Sequence, residues 1–432
     1  MIKIYFTVLI ILSKIVFSYA QTNDGWWNME FPDDNFSEEA ALDLRFLNEE
    51  IAGQNGFIKL SADGKSFITE EGNPIRFWAI NGASIVKDLT DEQLSYYARF
   101  LAKMGVNLIR FHGAVQPKGG AESLDEVDMN EVEAIWKVVA AMKQEGIYTA
   151  ISPFWGGYME EIPASWDLGE YTGESHIWGL MYFNDHLKNA YKKWVEVLYT
   201  TVNPYTGIAL KDDPAVALIQ IKNEDSLLFW TIMGIKPEHK ITIEKSFHEW
   251  LISKYENIES AFNAWSNERL PEDNLSNGQV GIYPIWEATI PQSGGKAIRL
   301  NDQKEFLSRH QQDFYTEIYD YYRSLGCKQL INANNWRPAD PARMFDAERW
   351  SNASVDVMAV NRYYDPGHQG ENSSWRIDPD HTYVGESVLI NPTKFPINIK
   401  QVHDKPFFVT ESGWNSPHKY QAEGPFLVAA YM

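Results

Sequence analysis

The sequence predicts an α/β fold, a (β/α)₈-type TIM barrel, from three observations. Short apolar strands alternate with amphipathic helices along most of the 432 residues. Some strands, such as 215–221, are apolar almost throughout, which is typical of parallel strands buried on both faces. The length suits one barrel with insertions. Together these features predict parallel strands surrounded by helices.

The individual elements follow from the same periodicity. A β-hairpin is predicted at 57–60 and 66–69, with its turn at Asp63-Gly64. Seven barrel strands are predicted at 75–80, 106–112, 147–152, 215–221, 328–333, 355–360 and 406–410. Helices are predicted at 91–104, with Thr90 as N-cap, and at 131–144, 184–202, 243–265 and 303–325. The stretch 267–300 is expected to be a loop excursion.

The C-terminal part of the barrel is expected to be incomplete. Eight strands close such a barrel, but after the seventh the sequence offers only a loop and the start of a helix at 426–431. We therefore expect a barrel that is truncated before its eighth strand, with two open strand edges. This leaves open that the chain is a fragment of a longer gene product.

The N-terminus predicts export. Lys3 precedes an apolar run at 5–17, and Ser18-Tyr19-Ala20 places small residues at the cleavage positions. Residues 1–20 are thus interpreted as a signal peptide, 21–55 as a lead-in and 56–432 as the barrel. An uncleaved anchor is the alternative, although Lys14 interrupts the apolar run. The only cysteine, Cys327, excludes an intramolecular disulfide, which fits a secreted or periplasmic bacterial protein.

The composition narrows the class of partner. With 38 basic and 59 acidic residues the formal charge is −21, which disfavours nucleic acid. Aromatic residues make up 14 % of the chain, including 16 Trp. Such rings stack on the apolar faces of sugars, although large cores also need them. The oligomeric state cannot be read from these numbers.

Two glutamates stand at strand ends, where barrels of this type place their functional groups. Glu224 follows the fourth predicted strand and Glu411 follows the seventh. Each alone is commonly a solvated cap or an ion-pair partner. Two carboxyl groups that share one cleft can divide acid and nucleophile roles in glycosidic cleavage, provided that their environments separate their pKa values.

The sequence resembles the clan A glycoside hydrolases, near the family five cellulase-like enzymes. The resemblance covers about residues 40–430. Its matching stretches are 56–82, 101–112, 203–207, 213–216, 220–224 and 405–414. It implies an enzyme that cleaves a β-linked poly- or oligosaccharide with retention, and two carboxyl groups and a water suffice for this chemistry, so no cofactor or metal is expected.

The resemblance also implies a role for each matching residue. Glu224 would be the acid/base and Glu411 the nucleophile. Asn223 would hydrogen-bond the 2-hydroxyl of the reacting sugar. Arg110 would hold the nucleophile ionised, and Tyr363 would donate a hydrogen bond to it. Structural alternatives, an ion pair for Arg110 and a rim aromatic for Tyr363, remain open.

Four further residues are predicted to bind the substrate. His112 points to the same side of its strand as Arg110, and it either contacts sugar hydroxyls or is a structural histidine. Trp155, Trp336 and Trp414 each follow a strand end, where stacking platforms are expected, although a single Trp is more often a core residue.

The sequence departs from the family pattern at two strand ends. Asn361 replaces the usual histidine two residues before the tyrosine, and the third strand ends in Ser152-Pro153-Phe154 instead of a histidine. These departures indicate an outlying branch.

A non-catalytic carbohydrate-binding protein or an inactive truncated barrel is the main alternative. A metal-dependent hydrolase is disfavoured, because such a site needs clustered His and Asp ligands at strand ends, and the strand ends offer His112 and little else.

Overall fold

The computed structural model describes residues 33–431, except 38, 83–85, 119, 158–160, 174, 365–367, 372–377, 384 and 415–416. The predicted signal peptide, 1–20, and the start of the lead-in therefore lie outside the described residues. The chain divides into two units, 1–40 and 41–432. The described residues of the first unit contain no helix or strand.

Parallel strands alternate with helices, as the α/β prediction requires. A five-stranded parallel sheet has the order β4 (Ala79–Asn81), β5 (Leu108–His112), β6 (Tyr148–Ser152), β7 (Val216–Gln220) and β8 (Leu330–Asn332). A parallel bridge between Asn332 and Val357 leads to β9 (Met358–Tyr364). That strand pairs in parallel with β12 (Phe407–Trp414).

All but the last of the α-helices described lie between these strands in the chain, and the last one follows β12. Their bounds are α1 Asp91–Lys103, α2 Met129–Lys143, α3 Asp185–Thr200, α4 Pro237–Tyr255, α5 Ile258–Ala264, α6 Gly294–Ser324, α7 Pro341–Asn352 and α8 Glu423–Tyr431. The predicted cap of α1 is confirmed: Thr90 and Gln93 form a reciprocal capping box. Within the described part of the chain, no helix combines the length and apolar character needed to cross a bilayer.

A small antiparallel sheet precedes the parallel strands. It contains β1 (Lys59–Leu60), β2 (Phe67–Ile68) and β3 (Pro74–Ile75). A second antiparallel pair, β10 (His368–Gln369) with β11 (Thr382–Tyr383), follows β9.

The predicted first strand, 75–80, needs correction, because two separate strands share it. Ile75 belongs to the antiparallel sheet, and only 79–81 joins the parallel sheet. The Asn107 side chain explains the break. Its Oδ1 accepts from the Trp78 amide at 2.8 Å, and its Nδ2 donates to the Arg76 carbonyl at 2.8 Å. It thereby replaces the strand-to-strand bonds between the two pieces.

Two predicted helices differ in their bounds. The predicted helix 243–265 is two helices, because Glu256 adopts a φ of 69° and the Asn257 side chain caps a new start. Helix α6 begins nine residues before the predicted start at 303, within the stretch expected to be a loop. A Cβ on Gly295 would lie 1.7 Å from the Trp265 carbonyl oxygen, so only a glycine lets the start of α6 approach this backbone so closely. Glycine has a low helix propensity, and the sequence therefore does not predict a helix there.

Most buried hydrophobic side chains of the described residues form two clusters, and a third, small cluster surrounds Trp414. The larger cluster lies between strands and helices, and includes Trp194 and Trp265. The smaller contains side chains from β5, β6, β7, β8 and the small antiparallel sheet. In it, Phe77 contacts the rings of Tyr148 and Phe408, which come from the third and seventh parallel strands. One side chain can reach both strands only if the strands curve around it.

Candidate active site

Glu411 accepts hydrogen bonds at both carboxyl oxygens. Arg110 Nη1 donates to Oε1 at 2.8 Å, and the Tyr363 hydroxyl donates to Oε2. The Arg110 side chain is 3 % exposed and that of Glu411 20 %, so this ion pair is largely shielded from water. Burial and the Glu411 charge raise the pKa of Tyr363, which therefore remains a donor at neutral pH.

Backbone geometry places Glu411 at this position. The register of β12 against β9 shifts between Val409 and Glu411, so Thr410 has no Cα partner in the pair. The Thr410 carbonyl instead accepts from Asn81 Nδ2 at 3.0 Å, which connects the first parallel strand to the seventh. The prediction that Glu411 follows its strand is slightly wrong, because β12 continues to Trp414.

Arg110 joins four strand ends. Besides Glu411, its guanidinium donates to Asn81 Oδ1 at 2.9 Å, Gln220 Oε1 at 3.1 Å and Asn223 Oδ1 at 2.8 Å. Four acceptors on three segments, β4, β12 and the end of β7, fix the planar guanidinium. The same arginine thus orients Asn223 beside Glu411.

Glu224 lies in a different environment. Asn361 Nδ2 donates to its Oε1 at 2.8 Å. Burial, followed by the nearby Glu411 charge, raises its pKa from the usual 4.5 to about 7. Glu224 can therefore hold a proton at a pH where an ordinary glutamate would not.

Asn361 couples the two carboxyl groups. Its Oδ1 accepts from the Thr410 hydroxyl, and in the strand pairing it stands opposite Glu411. The residue that bonds Glu224 therefore lies on the strand neighbouring Glu411, which brings the two carboxyl groups to one place. The sequence shows Asn361 only as a departure from the family pattern and does not predict this role.

Other polar residues of the site were also missed by sequence reasoning. Asn335 follows β8; its Oδ1 accepts from the Glu224 amide at 2.9 Å and its Nδ2 donates to Asn223 Oδ1 at 2.9 Å. Asn81 and Gln220 end their strands and bind Arg110. Each of the three ends or follows a parallel strand, and that position was the available signal.

His112 lies two residues after Arg110 on β5, close enough for the Arg110 charge to act on its ring. Its Nδ1 is 2.9 Å from the Ser152 hydroxyl, and its ring lies edge-on to Trp155 with centroids 5.9 Å apart. Burial and the neighbouring Arg110 charge lower its pKa to about 3, so the imidazole is neutral.

The three predicted platform tryptophans differ in exposure. Trp155 and Trp336 are partly exposed, and Trp336 lies edge-on to Phe229, which follows β7. Trp414 is only 9 % exposed and packs in a small cluster with Tyr364. The expectation of a stacking surface there needs correction, because the ring faces a hydrophobic cluster that includes Leu427 of α8.

No group of three or more His, Cys, Asp or Glu suited to a metal ion occurs in the part of the chain that the structure describes. The carboxyl groups of Glu224 and Glu411 contact an amide, a hydroxyl and the guanidinium of Arg110, and the charge of Arg337 also acts on Glu224. The contacting side chains can orient the carboxyl groups and hydrogen-bond a polar substrate.

Comparison with known proteins finds similarity in structure only. No family model matches the chain, and no curated protein matches it in sequence. A beta-glucanase from Saccharophagus degradans is 14 % identical, with 94 % of this chain and 86 % of that one covered and a TM-score of 0.41. A family 5 mannosidase from Rhizomucor miehei is 14 % identical, with 71 % and 80 % covered and a TM-score of 0.31.

An exo-beta-agarase is also 14 % identical, with a TM-score of 0.40. The alignment covers 63 % of this chain and 31 % of the agarase, so this chain spans about a third of that relative. The chain resembles glycoside hydrolases in structure. At these identities and TM-scores the resemblance does not assign an activity to it.

Proposed function

We propose that the protein is a retaining β-glycosidase, with Glu224 as acid/base and Glu411 as nucleophile. One observation carries this proposal: two neighbouring carboxyl groups occupy unlike environments. Glu224 is held in a buried position with a pKa of about 7, whereas Glu411 accepts from an arginine and a tyrosine. Unlike environments assign unlike roles to paired carboxyl groups.

Each step of the reaction has a residue to perform it. Glu411 would attack the anomeric carbon while Glu224 gives its proton to the departing glycosidic oxygen. Glu224, now ionised, would take a proton from water as that water attacks the glycosyl ester and frees Glu411. Asn223, held by Arg110 and Asn335, would hydrogen-bond the 2-hydroxyl of the sugar.

The substrate is proposed to be a β-linked poly- or oligosaccharide, with Trp336 and Trp155 as partly exposed stacking surfaces and His112 as a neutral hydrogen-bonding group. We further propose that the protein acts outside the cytoplasm, after removal of residues 1–20 as a signal peptide and without a membrane span in the mature protein. That proposal rests on the Lys3, apolar run and Ala20 pattern alone.

The test uses aryl β-glycosides and a panel of plant and algal polysaccharides. Glu411→Gln is expected to abolish turnover, and Glu224→Gln to lower it by about 10²- to 10⁴-fold. Added azide should restore turnover of activated aryl glycosides by each small-side-chain variant, Glu224→Ala and Glu411→Ala, with opposite product anomers. Glu259→Gln, an exposed glutamate of α5, is the matched control and should keep full activity.

Turnover that survives Glu411→Gln would refute the nucleophile assignment. Sugar binding without turnover by the native chain would instead favour a carbohydrate-binding protein. Calorimetric titration of the native chain with the polysaccharides of the panel measures this binding independently of turnover.

A further inference from the structure

We propose that Lys222 and Asp225 are positioning residues that hold the backbone of Glu224, and with it the acid/base carboxyl, in a strained conformation. The inference rests on the proposed function, because it concerns how Glu224 is presented. It assigns a role to a buried ion pair that the reaction itself does not use.

The backbone of Glu224 is strained. Its φ is 41°, in the left-handed region that residues other than glycine rarely adopt. Such a conformation persists only where neighbouring contacts impose it, and these positions cluster at functional sites. The single contact to the Glu224 amide, from Asn335 Oδ1, does not fix both sides of the residue.

The ion pair fixes both sides. Lys222 Nζ lies 2.6 Å from Asp225 Oδ2, and both side chains are completely buried. The pair therefore joins the residue two before Glu224 to the residue after it, closing a loop of four residues around the strained position. The ammonium also lies 4.0 Å from the centre of the Tyr182 ring, which adds a cation–π contact.

Neighbouring segments hold Asp225 in turn. Its Oδ2 accepts from the Gly179 amide at 2.8 Å. Its carbonyl accepts from the Tyr182 hydroxyl at 2.9 Å and from Asn334 Nδ2 at 2.7 Å. Asp225 is thus fixed through side chain and main chain together, and it cannot shift without breaking three hydrogen bonds.

A second anchor follows immediately. The Ser226 hydroxyl donates to Glu348, and the Leu227 amide donates to Gln311 Oε1 at 2.9 Å. Gln311 Nε2 also bonds Glu348 Oε1 at 2.9 Å, so α6 and α7 meet the loop at one point. A buried charge pair is costly to desolvate, and holding the strained Glu224 is the role that this location gives it.

The test removes both charges together, because removing one would leave the other buried and unpaired. Lys222→Met/Asp225→Asn is compared with Arg299→Met/Asp273→Asn, which removes a similarly buried pair (0 % and 4 % exposed) away from the site. The first variant is expected to lower kcat by about 10- to 100-fold with KM nearly unchanged. It should also shift the basic limb of the pH profile.

The control variant should lose thermal stability but keep kcat and the pH profile. Equal kcat in both variants at equal loss of Tm would overturn the proposal, since the pair would then be merely structural.

Hydrogen exchange provides a readout that does not need activity, and its measurement on the native chain needs no variant that folds. In the native chain, the amides of 222–228 should exchange as slowly as those of β7. Fast exchange of 222–228 beside a protected β7 would overturn the proposal. If the native chain hydrolyses no substrate, the proposed function fails, and faster exchange of 222–228 in Lys222→Met/Asp225→Asn than in the native chain would still show that the ion pair holds the loop, whereas equal exchange would overturn the proposal.

Discussion

At the scale of single residues, two glutamates of identical chemistry differ through their surroundings. Glu224 is largely buried and receives one amide donor, whereas Glu411 faces Arg110 and Tyr363. Burial disfavours the ionised form of Glu224, and the nearby Glu411 charge adds to this effect. Glu224 therefore stays protonated up to a pH of about 7, whereas an ordinary glutamate ionises near 4.5.

Replacing Glu224 should therefore lower the activity but raise the stability at a pH above its pKa. Between pH 4.5 and about 7 the unfolded chain ionises Glu224 while the folded chain keeps the proton, so its contribution to stability falls as the pH rises. At pH 8 we expect Glu224→Gln to be more stable than the native chain by roughly 2 kcal/mol. Below pH 4 the difference should vanish; a difference in urea-unfolding free energy that is independent of pH would contradict this assignment.

The pH profile of kcat/KM gives a second measurement on the same residue. Because the acid must be protonated, activity should fall as the pH rises through about 7. A basic limb above pH 9 would show that Glu224 is not the group whose protonation matters.

Tyr363→Phe removes one of the two donors to Glu411 while preserving the ring. Since the hydroxyl contacts the proposed nucleophile, kcat should fall by about 10- to 100-fold with little change in KM. Tyr205→Phe is the matched control: both tyrosines are 42 % exposed and both donate to a glutamate, Glu133 in the case of Tyr205. Equal steady-state kinetics of the two variants would argue against a role for Tyr363.

At the scale of elements, the ends of strands and helices depend on side chains that hydrogen-bond backbone N–H and C=O groups. Asn107 divides the predicted first strand, and Asn257 starts a new helix inside a predicted single one. Both asparagines are visible in the sequence. Their effect is not, because the same residue also occurs on exposed surfaces and in turns.

Helix α8 packs closely on the last parallel strand through Gly424. A Cβ at this position would lie 2.6 Å from Trp414 Cε3, so Gly424→Ala should lower the free energy of unfolding by about 1–3 kcal/mol. Gly234→Ala is the control, because a Cβ there meets nothing within 4 Å. It should be neutral or slightly stabilising. Thermal denaturation of both variants gives the comparison, and equal Tm values would contradict the packing described for α8.

At the scale of the whole molecule, the smaller of the two main hydrophobic clusters, which contains Phe77, connects parts of the chain that are far apart in sequence. Phe77 is 7 % exposed and contacts Phe67 at 5.6 Å, Tyr148 at 5.9 Å and Phe408 at 6.3 Å between ring centres. It therefore joins the antiparallel sheet to the third and seventh parallel strands.

Phe77→Ala should destabilise the protein by about 3–5 kcal/mol, because it leaves a cavity where these segments meet. Phe100→Ala, on an exposed face of α1 at 38 % exposure, should cost less than about 1 kcal/mol. Chemical denaturation measures the free energy of unfolding of both variants. Similar losses of this free energy would show that the cluster around Phe77 does not join these segments.

The sequence by itself determined the alternation of parallel strands and helices, and it placed Glu224 and Glu411 near the ends of their strands. Hydrophobic periodicity is local, so a short window of residues reveals it. It also identified Arg110, Asn223 and Tyr363 through a family resemblance, and the structure brings all three into contact with one another or with Glu411.

Only the tertiary structure decided which groups meet. Asn361 bonds Glu224 across 137 residues, and Arg110 bonds Glu411 across 301. The burial of the local Lys222–Asp225 pair and the burial of Trp414 likewise depend on neighbours from other segments. Strand register, curvature and the close approach of helices set these contacts, and no local pattern encodes them, because the energy of each depends on residues that are distant in the chain.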